Sequence, residues 1–182
     1  LTHVLCAVVY KQLPVDASSP SFGTQIRLRE LFGCVVGALS YFYLFPVTEM
    51  AIVIASSLLF HVLSRYCTNP RTTMILNFVN FGTLCAVHIH RTIFYYEENI
   101  YNFNVLLMTL VPKQIYFNWH VYALHRKLQQ GETQVLDRIP SFYDYFCYNF
   151  NFIGNLSTPL YSYKEYESFV RQEYADKRTD YA

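Results

Sequence analysis

The sequence predicts an all-α protein, an incomplete polytopic transmembrane helical bundle, and three observations carry that expectation. Charged residues make up 15% of the 182-residue chain and hydrophobic residues 53%, whereas soluble domains carry about 25% charge. Apolar runs recur at lengths suited to a hydrocarbon layer roughly 30 Å thick, which takes about 20 residues of helix. Basic residues gather in alternate connections between those runs. Mean hydropathy is only +0.15, partly because the chain holds 17 tyrosines, whose rings are at home at a membrane interface.

Residues 1–10 form a short apolar run and read as the end of a helix. The chain opens at Leu1 inside that run and stops at Ala182 inside a charged stretch, so both ends read as truncated. Four membrane helices are then expected, over 31–45, 47–63, 74–94 and 100–124. The first two nearly touch at Pro46. Proline disfavours a helix interior, and 31–63 is too long for one ordinary span, so a tight hairpin around Pro46 and Glu49 fits better than one kinked helix.

The charges support the hairpin. It places loops 11–30, 64–73 and 125–138 on one side, with Lys11, Arg27, Arg29, Arg65, Arg71, Arg126, Lys127 and Arg138. Only Arg91, with Glu97 and Glu98, falls on the other. Positive charge accumulates on the cytoplasmic face of membrane proteins, so the three basic loops are expected to be cytoplasmic.

Segment 141–163 is aromatic but interrupted by Asp144, Asn149, Asn151, Gly154, Asn155 and Pro159. Alone in lipid it would expose polar groups, so a broken or re-entrant helix against protein or a wet cavity is expected. In 164–182, Tyr166, Phe169, Val170 and Tyr174 fall near helical spacing, as in an amphipathic segment at the membrane interface.

Several functions are disfavoured by composition. Net charge is +1 with no basic stripe for a phosphate backbone, so no nucleic-acid partner is expected. Cys6, Cys34, Cys67, Cys85 and Cys147 are odd in number and widely spaced, unlike a zinc site or a disulfide framework. His88 and His90 diverge on a helix, and no metal site is expected. No G-x-S-x-G, H-E-x-x-H or phosphate-cradling glycine loop occurs.

The candidate substrate-path residues are Lys113, Asn118, Asn149, Asn151, Pro159 and Tyr163. Lys113 follows Pro112 inside an apolar run, and an intramembrane cation usually faces a partner or a cavity. Asn118 and His120 follow but do not share one stripe with it. Cavity lining and structural hydrogen bonding both suit these residues. The polar and aromatic stretch 145–163 could line a path for a lipid headgroup or anchor the chain at an interface.

The stretch Arg138-Ile-Pro-Ser-Phe-Tyr-Asp-Tyr145, continued by Cys147-Tyr-Asn-Phe-Asn-Phe-Ile-Gly154 and Pro159-Leu-Tyr-Ser-Tyr-Lys-Glu-Tyr166, resembles a block of the membrane-bound O-acyltransferase family. The similarity is to the lysophospholipid acyltransferases acting on lysophosphatidylethanolamine and lysophosphatidylserine. It is specific over 138–166 and diffuse upstream, where Val105–Tyr122 with Lys113 is similar to the family's apolar helix. The chain departs in having Thr158 where the family has glycine, and Val111-Pro112-Lys113 where it has T-Q-K.

The resemblance implies an endoplasmic-reticulum enzyme with acyl-CoA and a lysophospholipid as substrates, membrane lipids as surroundings and no cofactor. It implies that the catalytic histidine and its asparagine lie in a later part of the protein. No catalytic residue is therefore expected here, and none of His3, His61, His88, His90, His120 and His125 takes that role. The alternative is a non-catalytic polytopic membrane protein, such as a transporter or receptor fragment.

Overall fold

The structure is a computed structural model and describes residues 2–13, 22–94, 103–131, 139–152 and 160–172. Among these, all regular structure is helical: α1 (Thr2–Gln12), α2 (Phe22–Leu44), α3 (Val47–Arg65), α4 (Pro70–Phe94), α5 (Phe103–Gln129), α6 (Phe142–Phe150) and α7 (Tyr163–Val170).

Two helices, α3 and α4, are long and apolar enough to cross a membrane, with mean hydropathy 1.8 and 1.3. Their outer faces present Ile52, Leu59, Ile75 and Phe78, all exposed. Residues 31–44 and 103–124 of the other two runs belong to longer helices whose composition is more polar, and 100–102 lie outside the described residues. α2 reaches back to Phe22 through Arg27, Arg29 and Glu30, and α5 carries Lys113, Arg126 and Lys127. The expected loops shrink accordingly. Residues 22–30 of the expected 11–30 loop are helical, because Arg29 and Glu30 are buried against protein, which hydropathy cannot anticipate. The 64–73 loop reduces to 66–69, since Pro70 opens α4 at a position where proline lacks no needed N–H. From the 125–138 loop, residues 125–129 join α5. Arg126 and Lys127 sit well at its negative end, and Gly131, at φ 75°, supplies the left-handed residue that follows a helix. Residues 132–138 lie outside the described residues.

Pro46 is the N-cap of α3 with extended backbone, φ −57° and ψ 144°, and it turns the chain. The direction of the turn follows from α6. Tyr143 Oη donates to the Arg27 carbonyl at 2.9 Å, and Gly37 lies against the Phe150 carbonyl, so α6 runs alongside α2 in the same direction. Arg65 Nη2 donates to the Pro140 carbonyl at 3.2 Å, while the His61 and Tyr145 rings lie 4.7 Å apart. α3 therefore runs against α6, and Arg27 and Arg65 share one end. The α2–α3 pair is a splayed hairpin with α6 lodged between its arms.

α5 closes the other side. Asn118 Nδ2 donates to Asn77 Oδ1 at 2.7 Å and to the Thr73 carbonyl at 3.3 Å. Gln114 donates to Ser57 Oγ at 3.0 Å and accepts from Asn80 Nδ2 at 2.9 Å. These bonds set α5 antiparallel to α4 and join three helices through one amide. They also bring Arg126 and Lys127 to the end that holds Arg27, Arg65 and Arg71, with Arg91 at the other.

Within the segment expected at 164–182 as interfacial, the described part is α7, on which Phe169 is exposed. The helix spans Tyr163–Val170 and turns Tyr163, Tyr166 and Val170 into the protein core. Its apolar stripe packs principally on α5 and α2. Tyr174 lies outside the described residues.

Candidate functional site around the broken helix

The site forms where α6 stops halfway. Nine residues of helix rise about 13 Å, under half of a hydrocarbon layer. Ser141 starts the helix with a capping box. Its Oγ accepts from the Asp144 N–H at 3.3 Å, and Asp144 Oδ2 accepts from the Ser141 N–H and Oγ at 2.7 and 2.8 Å. Each satisfies an amide that a helix start leaves bare.

The far end of α6 lies deep in the protein, where its carbonyls have no water to bind. Asn151 leaves the helix with φ −63° and ψ 128°. The next N–H, of Phe152, crosses to the Gly33 carbonyl at 3.1 Å. Such close approach needs bare backbone on α2, and Gly33-Cys-Val-Val-Gly37 provides it. A Cβ on Gly33 would meet Asn151 Nδ2 at 2.7 Å, and one on Gly37 would overlap the Phe150 carbonyl. This small-xxx-small spacing is a common device for close helix packing in membranes.

Lys113, 1% exposed, serves the same helix end. Its Nζ donates to the Asn149 carbonyl at 3.3 Å and lies 5.2 Å from the Tyr161 ring centroid. A cation at the last carbonyls of a helix is favoured by their partial negative charge. Asn149 turns its Nδ2 back to the Tyr145 carbonyl at 2.9 Å. Tyr148 Oη donates to the Tyr161 carbonyl at 2.7 Å and so pins the chain as it re-enters toward α7. Tyr163 packs edge-on to Phe117 and Tyr148, both at 5.5 Å.

Lys113, Asn149 and Tyr163 are thus neighbours around α6. Asn151 sits at the break, on the side of α2 and α7. Asn118 is elsewhere, bound into the α4–α5 seam. Pro159 lies outside the described residues. Tyr161, which falls in the stretch 145–163 read as a possible path lining, and Tyr166, which was placed in the amphipathic segment, line a cavity of about 150 Å³ with Asn151 and Phe169. Composition did not point to Gln114, Ser57 or the Gly33–Gly37 pair, although the G-x-x-x-G spacing was there to be read. Among the described residues, no three His, Cys, Asp or Glu side chains converge as a metal site would require.

α7 repeats the capping device of α6. Glu165 Oε2 accepts from the Ser162 N–H at 2.6 Å and from its Oγ at 2.9 Å. The backbone N–H, then the hydroxyl, hold the Glu165 carboxyl below its ordinary pKa. A depressed carboxyl stabilises the folded state above its unfolded pKa, about 4.3, and loses that contribution as pH falls through the lower folded value. Wild type is therefore expected to melt above Glu165→Gln at pH 7, with the gap closing in acid. Thermal midpoints taken from pH 7 to pH 3 check this, and a gap independent of pH would exclude it.

No family model, no curated protein and no solved structure matches this chain.

Proposed function

We propose that this chain is the amino-terminal part of an acyl-CoA:lysophospholipid O-acyltransferase and supplies its scaffold and part of its lipid-facing substrate path. It lies as a polytopic bundle in the endoplasmic reticulum membrane, with the end holding Arg27, Arg65, Arg71, Arg126 and Lys127 toward the cytoplasm. One observation carries the reading: the block 138–166, on which the family resemblance rests, is the part that folds as a half-length helix, a break and a capped return. Asn151, Tyr161 and Tyr166 of that block border a small cavity, in a fold that also holds two membrane-length helices. Irregular backbone at such depth is tolerated where it is buried in protein or lines a cavity.

In the reaction that the resemblance implies, a histidine from a later part of the protein takes the proton of the lysolipid hydroxyl. The oxygen attacks the thioester carbon, the carbon–sulfur bond breaks, and coenzyme A leaves as the new ester forms. Lys113, Asn149 and Tyr163 hold the broken helix in place and take no part in proton transfer.

The test is incorporation. The whole protein, placed in membranes without endogenous activity, is expected to convert labelled acyl-CoA and lysophosphatidylethanolamine or lysophosphatidylserine into diacyl product and free thiol. No incorporation into any lysophospholipid would sink the reading. The second reading, a transporter, is favoured by Lys113 at a helix interruption, because transporters often build binding sites from broken helices. Lysolipid uptake into proteoliposomes without product formation would establish it instead.

A further inference from the structure

Two thiols meet where α6 lies along α2. The helices run in the same direction, so their facing residues pair at one constant offset. Glu30 lies within electrostatic reach of Tyr143, Cys34 interacts thiol to thiol with Cys147, and Gly37 lies against Phe150. Both cysteines are buried in the same core cluster, at 5% and 1% exposure. Neither spacing nor composition pairs them, because the two helices stand far apart in the sequence and meet only in the fold.

The backbones come close over the turn that carries these thiols. A disulfide needs Cα atoms no more than about 6.8 Å apart, whereas helix axes usually stand about 8–10 Å apart. The glycines on either side of Cys34 relieve that limit. A Cβ on Gly37 would overlap the Phe150 carbonyl, one on Gly33 would press on Asn151, and the Phe152 N–H reaches the Gly33 carbonyl at 3.1 Å. The other cysteines stand elsewhere. Cys6 and Cys85 are half-buried on α1 and α4, and Cys67 turns its Sγ to the Leu63 carbonyl at 3.5 Å. Two turns of α2 separate Cys34 from the exposed Arg27, so only a small neutral oxidant suits the pair.

We propose that Cys34 and Cys147 are a modification site at which hydrogen peroxide forms a reversible disulfide, bolting α6 to α2. One thiolate attacks a peroxide oxygen, the O–O bond breaks, and a sulfenic acid and water result. The second thiol gives up its proton and its sulfur attacks the sulfenic sulfur. The S–S bond forms, the S–O bond breaks, and hydroxide leaves with that proton as water. Two electrons pass from the sulfurs to the peroxide, so two thiols and one peroxide give one disulfide and two waters. The new bond closes the long loop between α2 and α6 and restricts chiefly the unfolded chain. The site stands apart from acyl transfer, and its readout needs no turnover.

The full chain, reduced in detergent, is titrated with hydrogen peroxide, its remaining thiols are alkylated, and its peptides are mapped by mass spectrometry without reductant. The expected product is a peptide linking Cys34 to Cys147 within one chain, lighter than its two parts by two hydrogens. The melting midpoint of the linked chain is expected to rise by about 10 °C and to fall back with dithiothreitol. Cys147→Ser should lose that rise. The wild-type peptide map carries the test if the variant does not fold. Absence of the Cys34–Cys147 peptide at every peroxide dose the folded chain withstands, or links confined to Cys6, Cys67 and Cys85, overturns the proposal. So does a linked chain that melts no higher than the reduced one.

Discussion

Lys113→Glu is expected to prevent this protein from being recovered as a folded, monodisperse species. The substitution replaces the cation at the end of α6 with an anion facing the Asn149 carbonyl, where the helix is already negative. Loss of one partner of a buried charged contact costs about 3–5 kcal/mol, a large share of the 5–15 kcal/mol typical of a domain. Lys113→Met should be milder, since it leaves one buried carbonyl without a donor, at about 1–3 kcal/mol. Lys113→Arg keeps a cation within reach and should be the best tolerated of the three. Size-exclusion profiles after extraction, with melting temperatures for the variants that survive, give the ranking. Equal behaviour of the Met and Glu variants would mean that charge at the helix end is immaterial and only the aliphatic stem of Lys113 matters.

The second large effect is expected at Gly37. A methyl there would overlap the Phe150 carbonyl and approach the Phe152 amide nitrogen to 2.8 Å. Both obstacles are backbone, and the Phe152 N–H is committed to the Gly33 carbonyl. α6 would have to move away from α2. Alanine gains up to about 1 kcal/mol in helix propensity, but forced overpacking costs typically 1–3 kcal/mol. With the helix-end hydrogen bonds disturbed as well, Gly37→Ala should be destabilised by about 2 kcal/mol. Gly82→Ala is the control, because a Cβ on that α4 glycine meets nothing within 4 Å, and it should melt no lower than wild type. A Gly37→Ala midpoint equal to that of Gly82→Ala would show that α2 and α6 do not depend on the contact.

The turn at Pro46 and the interruption near Asn151 were legible because each has a local cause. Proline marks one, and a cluster of Asn, Gly and Pro in an aromatic run marks the other. The grouping of Arg27, Arg65, Arg126 and Lys127 at one end could likewise be read from charge alternation. The early start of α2 could not. Arg29 and Glu30 read as loop residues because a linear scan prices each as if it faced solvent or lipid, and here they face protein. For Asn118, where cavity lining and structural hydrogen bonding both suited the sequence, the amide is bound to Asn77 and Thr73, a partnership set by the α4–α5 register. Two signals were local and went unused. Ser141-Phe-Tyr-Asp144 and Ser162-Tyr-Lys-Glu165 both carry the capping-box spacing, and they mark the starts of α6 and α7. The meeting of Tyr161 and Tyr166 with Asn151 and Phe169 around one cavity has no local sign, since only the fold brings them together.

The placement of α6 between the hairpin arms imposes an order on biosynthesis. Tyr143 reaches a carbonyl 116 residues earlier in the chain. When α2 and α3 leave the ribosome, the helix that will separate them has not been made. The Gly33–Gly37 stripe and the polar side chains of the groove must then wait, open to other helices drawn to the same bare backbone. Contacts so distant in sequence form slowly. A ribosome that stalls before residue 142 would leave a helix pair with an unfilled slot, and such an intermediate is a natural client for whatever machinery guards half-built proteins.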